Sequence, residues 1–164
     1  MKKYLFLIGL VLAGSLTATA QYEADTRTPE SVVKACLDII SVNKGETPDW
    51  KRMQNLLMNG ASFTMCYTKN DTAKTRWFTL EQMKKMGYER TGFTETQLAI
   101  DVQQFGGMAN VFQSYEARTH DGRHNQRGIN SYQLIYDHGR WWISSLMWTD
   151  ATRSNPLPAK FDKR

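Results

Sequence analysis

Apolar residues recur at spacings of three and four behind Thr28-Pro29: Val33, Cys36, Leu37 and Ile40, with Val32 and Ile39 beside them. That period predicts a helix over 29–44 with one wide apolar face. Thr28 is placed to cap it, Pro29 fits its first position and Gly45 ends it. A second, short helix restarts at Pro48-Asp49, capped by Asp49, with Trp50, Met53, Leu56 and Leu57 on its apolar side; Asn59-Gly60 stops it. From Ala61 to Tyr67 the period becomes two, with Phe63, Met65 and Tyr67 against Ser62, Thr64 and Cys66, which predicts a strand. Arg76-Trp77-Phe78 reads as a short strand. Thr79 and Gln82 have the spacing of a capping box and open a short helix that Gly87 closes.

Beyond Phe93 the chain alternates almost throughout. Thr94, Thr96, Leu98, Ile100 and Val102 share one face, with Glu95, Gln97, Asp101 and Gln103 opposite. Gly106-Gly107 is a turn signal. The return strand, 108–119, sets Ala109, Val111, Gln113, Tyr115 and Ala117 against Asn110, Ser114, Glu116 and Arg118. After the polar loop 120-HDGRHNQRG-128 come Ile129–Tyr136, a turn at Asp137-His138-Gly139, and Arg140–Thr149. Strict alternation puts Trp141, Ile143, Ser145 and Met147 on one face of that last strand, and Trp142, Ser144, Leu146 and Trp148 on the other. Aromatic bulk on both faces asks for a core on one side and a cavity or partner on the other. Two helices, a strand, a short helix and two hairpins in series point to an α+β domain, one bent sheet around the helices.

The opening MKKYLFLIGLVLAGSLTATAQ has two lysines, a short apolar run and Ala18-Thr19-Ala20 before Gln21. This is the pattern of a secretory signal, too short to span a membrane. The expected organisation is therefore a signal peptide at 1–20, a flexible polar segment at 21–28, a folded domain at 29–150 and an extended tail at 151–164. The location is periplasmic or secreted, with no membrane contact after cleavage. The 164-residue chain is 41% hydrophobic and 23% charged, which is ordinary globular composition. Its +5 charge is scattered and shrinks when Lys2 and Lys3 leave, so a nucleic-acid partner is not expected. Export permits a disulfide between Cys36 and Cys66; buried free thiols are the simpler expectation.

The order of elements, with its local wording, resembles the nuclear transport factor 2-like superfamily, which includes SnoaL-like and ketosteroid isomerase-like proteins and has a cystatin-like cone fold. The matching residues are the helix at 29–44; 93-FTETQLAIDVQQFGGMANVFQSYEAR-118, with Ala109, Val111 and Tyr115 in its return strand; and 127-RGINSYQLIYDHGRWWISSLMW-148, with Gly128, Leu134, Gly139, Trp141 and Ile143 in its closing hairpin. The resemblance implies a cone-shaped barrel, a strongly bent antiparallel sheet wrapped around the long helix with two shorter helices, a pocket between sheet and helices, and often a homodimer through the outer sheet face. Fold alone does not imply activity.

Gln113 is the most suggestive polar residue, because it shares a face with Val111 and Tyr115 and must find hydrogen bonds when buried. Tyr67, Trp77, Tyr115 and Gln133 are further candidates for the pocket, and Trp142, Leu146 and Trp148 for a face that meets a partner. An isomerase would need a carboxylate base in an apolar cavity and a hydroxyl donor. Glu95 and Asp101 lie on the polar side of their strand, where solvation is expected, and Asp38 sits at the polar edge of its helix. No acid–base dyad stands out. His120, Asp121 and His124 share a loop with Arg123 and Arg127, whose charges oppose a cation, so no metal is expected. Ser144, His138 and Asp137 lack the setting of a nucleophile. No cofactor is implied. Arg118, Arg123, Arg127, Lys69 and Lys74 read as solubilising charge, with a basic rim as the alternative. The leading expectation is a non-catalytic exported domain that binds a small apolar or amphipathic molecule. A SnoaL-like or isomerase-like enzyme and a protein–protein scaffold are the alternatives.

Overall fold

The computed structural model describes residues 20–69 and 72–163. The expected leader falls outside them, apart from Ala20. No described helix is long and apolar enough to cross a membrane.

Helix α1 (Pro29–Ile40) starts as expected. The Thr28 hydroxyl accepts from the Ser31 amide at 3.1 Å, and the Ser31 hydroxyl accepts from the Thr28 amide at 3.0 Å. It ends earlier than Gly45 because Ser41 is extended and the Val42 and Phe93 backbones bond each other in both directions at 2.9 Å. A cross-chain bridge replaces the last helical turn. Helix α2 (Trp50–Leu56) is capped by Asp49 and runs directly into β1 (Leu57–Lys69), which begins before the expected Ala61. The others are β2 (Thr72–Phe78), α3 (Leu80–Met83), α4 (Tyr88–Thr91), β3 (Phe93–Phe105), β4 (Met108–Thr119), β5 (Asn125–Asp137) and β6 (Arg140–Asp150).

The six strands form one sheet in the order β2-β1-β6-β5-β4-β3. Every neighbouring pair is antiparallel except β1 with β6, which are parallel. The expected cone of one bent sheet around the helix is found, with one departure: the sheet is mixed and not wholly antiparallel, and it stays open with β2 and β3 at its edges. The parallel pair arises because β1, early in the chain, joins the outer side of the last strand. Val32, Val33, Cys36 and Ile39 of α1 pack on Val111, Tyr132, Leu134, Ile143 and Leu146, so the core lies between the helix and the inner face of the sheet.

Two β-bulges decide which side chains share that inner face. Between β5 and β6 the register passes from Gln133↔Ser145 to Leu134↔Ile143 and skips Ser144, whose hydroxyl donates to the Gln133 carbonyl at 3.0 Å. An extra residue reverses the alternation beyond it. Trp141 and Ile143 face inward on one side of the bulge, Leu146 and Trp148 on the other. This corrects the expected outer face: Leu146 is buried in the core and Trp148 stacks on Phe78 at 5.6 Å between ring centres. Of the three residues assigned to that face, only Trp142 lies outside, donating to the Asp137 carbonyl at 3.1 Å beneath the Arg140 guanidinium. The second bulge is at Leu98, where β3–β4 pairing passes from Gln97↔Tyr115 to Ala99↔Ser114.

Both terminal segments are more ordered than expected. Residues 20–25 are helical. Asp25 is buried and receives Arg52 through two nitrogens at 2.7 and 2.8 Å. Burial alone would raise the Asp25 carboxyl, but the hydrogen bonds from Arg52 and Gln21 and the Arg52 charge outweigh it and hold the group below its ordinary value. The tail forms a 3-10 turn, Ala159–Phe161, on the outer sheet face. Phe161 is buried there, its carbonyl accepts from Ser114 at 2.8 Å, and Lys160 pairs with Asp101 at 2.8 Å. Cys36 and Cys66 are both free, on opposite faces of the sheet.

Candidate functional site

A cavity of about 370 Å³ opens between the inner face of the sheet, α1, and the short helices α3 and α4. Its walls are largely apolar and aromatic: Cys36 and Ile40 from α1, Met83 and Tyr88 from the short helices, Met65 and Trp148 from the sheet. Polar groups gather in one region, at Glu95, Tyr115, Asn130 and Asp150.

Glu95 corrects the reading of its strand. It was expected in solvent, on the face opposite Leu98 and Ile100. The bulge at Leu98 turns it inward: Glu95 pairs with Ala117 and Gln97 with Tyr115, while beyond the bulge Ile100 pairs with Gln113 and Val102 with Val111. All four partners belong to the inner row of β4. The backbone holds Glu95 in place as well, since its amide donates to the Ser41 hydroxyl at 3.0 Å at the end of α1. Burial raises the Glu95 carboxyl to about 7; the Asn130 hydrogen bond works against that rise, and the Asp150 charge adds to it.

Behind Glu95 runs a chain of amides whose direction is fully set. The Gln113 amide nitrogen donates to the Ser114 carbonyl at 2.7 Å, which turns its oxygen toward Asn130. Asn130 Nδ2 then donates to Gln113 Oε1 at 2.8 Å and to Glu95 Oε1 at 2.7 Å. Both protons of the Asn130 amide are thereby used. Gln113, expected on the pocket wall or satisfied by a neighbour, is fully buried one layer behind the cavity and supports it through Asn130.

Tyr115 does line the cavity. Its hydroxyl donates to Asp150 Oδ1 at 2.7 Å, passing directly over Gly128 between the two strands. Burial, followed by the bond to Asp150, pushes the Tyr115 hydroxyl far above its ordinary value. Tyr88 also stays protonated, chiefly because of burial, and among the described residues its proton goes only to the Met86 sulfur at 3.2 Å, a weak acceptor. Cys36, on the helix wall, is pushed up by burial to about 12 and is no nucleophile.

The other nominated residues lie elsewhere. Trp77 is 62% exposed on an edge strand, on the outer face opposite Thr64. Tyr67 lies near the end of β1 and is partly exposed; Gln133 borders a shallow outer groove with Asp101, Phe112 and Lys160. Trp77 and Gln133 thus face away from the cavity, and Tyr67 is not among the residues that line it. Trp148 and Leu146, nominated for a partner face, contribute to the cavity wall instead. His124 lines the cavity, whereas His120 bonds Thr94 at 2.8 Å. Among the described residues no three His, Cys, Asp or Glu side chains gather as metal ligands.

No protein-family model matches the chain, and no curated protein matches it. Solved structures do. An NTF2-like protein of unknown function from Pseudomonas putida aligns with a TM-score of 0.58 at 9% identity, over 82% of this chain and 92% of its own. A provisionally assigned ketosteroid isomerase from Shewanella frigidimarina aligns at 0.51 and 15%, over 71% and 90%. A provisionally assigned Ca/calmodulin-dependent kinase II association domain from Exiguobacterium sibiricum aligns at 0.55 and 15%, over 75% and 90%. With helix α1 packed on one open six-stranded sheet, the chain has the nuclear transport factor 2-like fold.

Proposed function

We propose that the cavity binds a small, mainly apolar molecule and that Glu95 accepts and returns a proton there. The observation that carries this reading is a half-buried carboxyl held near neutrality in an apolar cavity, with its orientation set by Asn130. A general base works best when its pKa lies near the ambient pH, because it is then ionised yet still basic. Tyr88 is the hydroxyl best placed to donate to a ligand oxygen, since sulfur is all it would give up. Tyr115 is less available, being committed to Asp150. An acid–base set of this kind favours isomerase-like proton transfer beside a carbonyl over the non-catalytic domain expected from the sequence. The chain acts after export, the leader at 1–20 having been removed.

The test is hydrogen–deuterium exchange followed by NMR in heavy water, on a panel of ketones that includes amino ketones and a β,γ-unsaturated ketosteroid. The wild-type protein is expected to speed exchange at the carbon beside the carbonyl for at least one member, and Glu95→Gln to lose that acceleration. Acceleration that survives in the variant would remove Glu95 from the chemistry.

A second reading concerns assembly. Trp77, Met147 and Phe112 are all exposed and lie in one outer row through the pairs Thr64↔Met147 and Phe112↔Ser131. Exposed apolar side chains aligned across one sheet face mark a surface that a partner can cover, and we propose that a second copy of the chain supplies it, making a homodimer. Light scattering should give twice the chain mass, and Phe112→Glu should return it to one. A monomeric wild-type protein would end this reading.

A further inference from the structure

The polar atoms around Glu95 have a consistent sense. Asn130 is 6% exposed, and both of its N–H groups are spent, one on Gln113 and one on Glu95. Its orientation is not a free choice, because the chain of amides ends on a backbone carbonyl, which can only accept. The remaining polar atom, Oδ1, has no partner among the described residues and belongs to a side chain that lines the cavity. Beside it stand the carboxylate of Glu95 and that of Asp150, which accepts a hydrogen bond from the Tyr115 hydroxyl. Every one of these atoms accepts. Among the described residues no Lys or Arg lines the cavity, and His124 is the one lining side chain able to become a cation. This holds in a chain whose net charge is positive.

A ligand carboxylate or phosphate placed beside them would meet two carboxylates, and the Tyr88 hydroxyl, the donor the wall has to spare, carries no charge to offset them. A neutral ketone would leave Asn130 Oδ1 and the carboxylates unmatched, at the cost of burying unpaired acceptors. A group that is donor-only and positive satisfies all of them, and the aromatic rings of Trp148, Tyr88 and Phe93 in the wall offer it cation–π attraction.

We infer that the cavity is built for an organic cation: an apolar or aromatic molecule bearing one protonated amine, its ammonium shared by Glu95, Asp150 and Asn130 Oδ1 and its hydrocarbon laid against the aromatic wall. This rests on the proposal that the cavity is the ligand site and adds the chemical class of what enters it.

Three probes with one ring system separate the two statements: tryptamine, tryptophol and indoleacetate, measured by titration calorimetry at about pH 8, where a carboxyl that titrates at about 7 is ionised. Tryptamine is expected to bind about tenfold tighter than tryptophol, and indoleacetate weakest of all. Glu95→Gln should remove the preference for tryptamine over tryptophol, and Asp150→Asn should reduce it. The second variant serves if the first fails to fold. Equal affinity for tryptamine and tryptophol in the wild-type protein would overturn the cation while leaving the cavity as a ligand site. Binding of none of the three would overturn both. A tryptamine preference that persists in the variants would place the ammonium elsewhere and overturn the assignment to these residues.

Discussion

Glu95→Gln should raise the melting temperature at about pH 8, leave it nearly unchanged at about pH 4, and at the same time reduce any proton transfer in the cavity by roughly 10²–10⁴-fold. The sign follows from proton linkage. The folded carboxyl titrates at about 7 against an ordinary value of 4.5. Below that ordinary value both states hold the proton, so the group does not affect stability. Between the two values the unfolded chain releases its proton while the folded chain keeps it, and stability falls as pH rises. Above about 7 the whole penalty is present. At about 1.4 kcal/mol per pKa unit the upper bound is about 3.5 kcal/mol, and partial exposure of Glu95 to the open cavity brings it to the order of 1–2 kcal/mol. Glutamine keeps an oxygen for Asn130 and carries no charge, so it escapes the penalty. For a domain of this size the gain is roughly 3–6 °C. Melting curves of both proteins across the pH range check it. A variant that melts below the wild-type protein at both ends would show that the carboxylate stabilises the fold, and Glu95 would then be a structural group.

Gly128→Ala should be the most damaging single-methyl change in the sheet, costing about 3 kcal/mol or more. A Cβ at Gly128 would stand 2.3 Å from the Tyr115 hydroxyl oxygen and 2.4 Å from the Thr149 carbonyl oxygen. Tyr115 crosses the β5 backbone at this point to reach Asp150 on β6, and only a residue without a side chain leaves room for it. Two losses combine, the clash itself and the buried Tyr115–Asp150 bond. Truncating Tyr115 as well should not restore stability, because the Thr149 contact is backbone and cannot swing away. Urea denaturation of the single and double variants measures both. A Gly128→Ala protein with an unchanged midpoint would mean that Tyr115 does not lie across this glycine in solution.

The helix at Pro29, the Asp49 cap, the Thr79–Gln82 capping box, the Gly106-Gly107 hairpin and the closing hairpin were all legible in the sequence. They depend on contacts within a few residues, and local chemistry announces them. The resemblance that gathered them into one fold was legible for the same reason. Tyr115 was legible as a cavity residue because β4 keeps strict alternation from Ala109 to Ala117. Glu95 was not. Its neighbours Thr94, Thr96 and Gln97 are polar, so nothing in 94–97 marks an inner face. The residue that sets the face, Leu98, is apolar like the core residues around it. The same holds at Ser144, where an unremarkable serine moves Leu146 and Trp148 from the outside of the sheet to its inside.

The sequence by itself determined the main helices and strands, their order, the hairpin turns and the α+β class, because periodicity, caps and glycine turns act through neighbours along the chain. It did not determine the short turns of helix at 20–25, 88–91 and 159–161. Only the tertiary structure decided that β1 lies parallel to β6, that the sheet stays open, and that Glu95, Asn130 and Asp150 meet in one cavity. Those outcomes depend on strand register, and register is set by packing between segments far apart in the chain. A bulge of one residue reverses every face beyond it and leaves no mark in the local pattern.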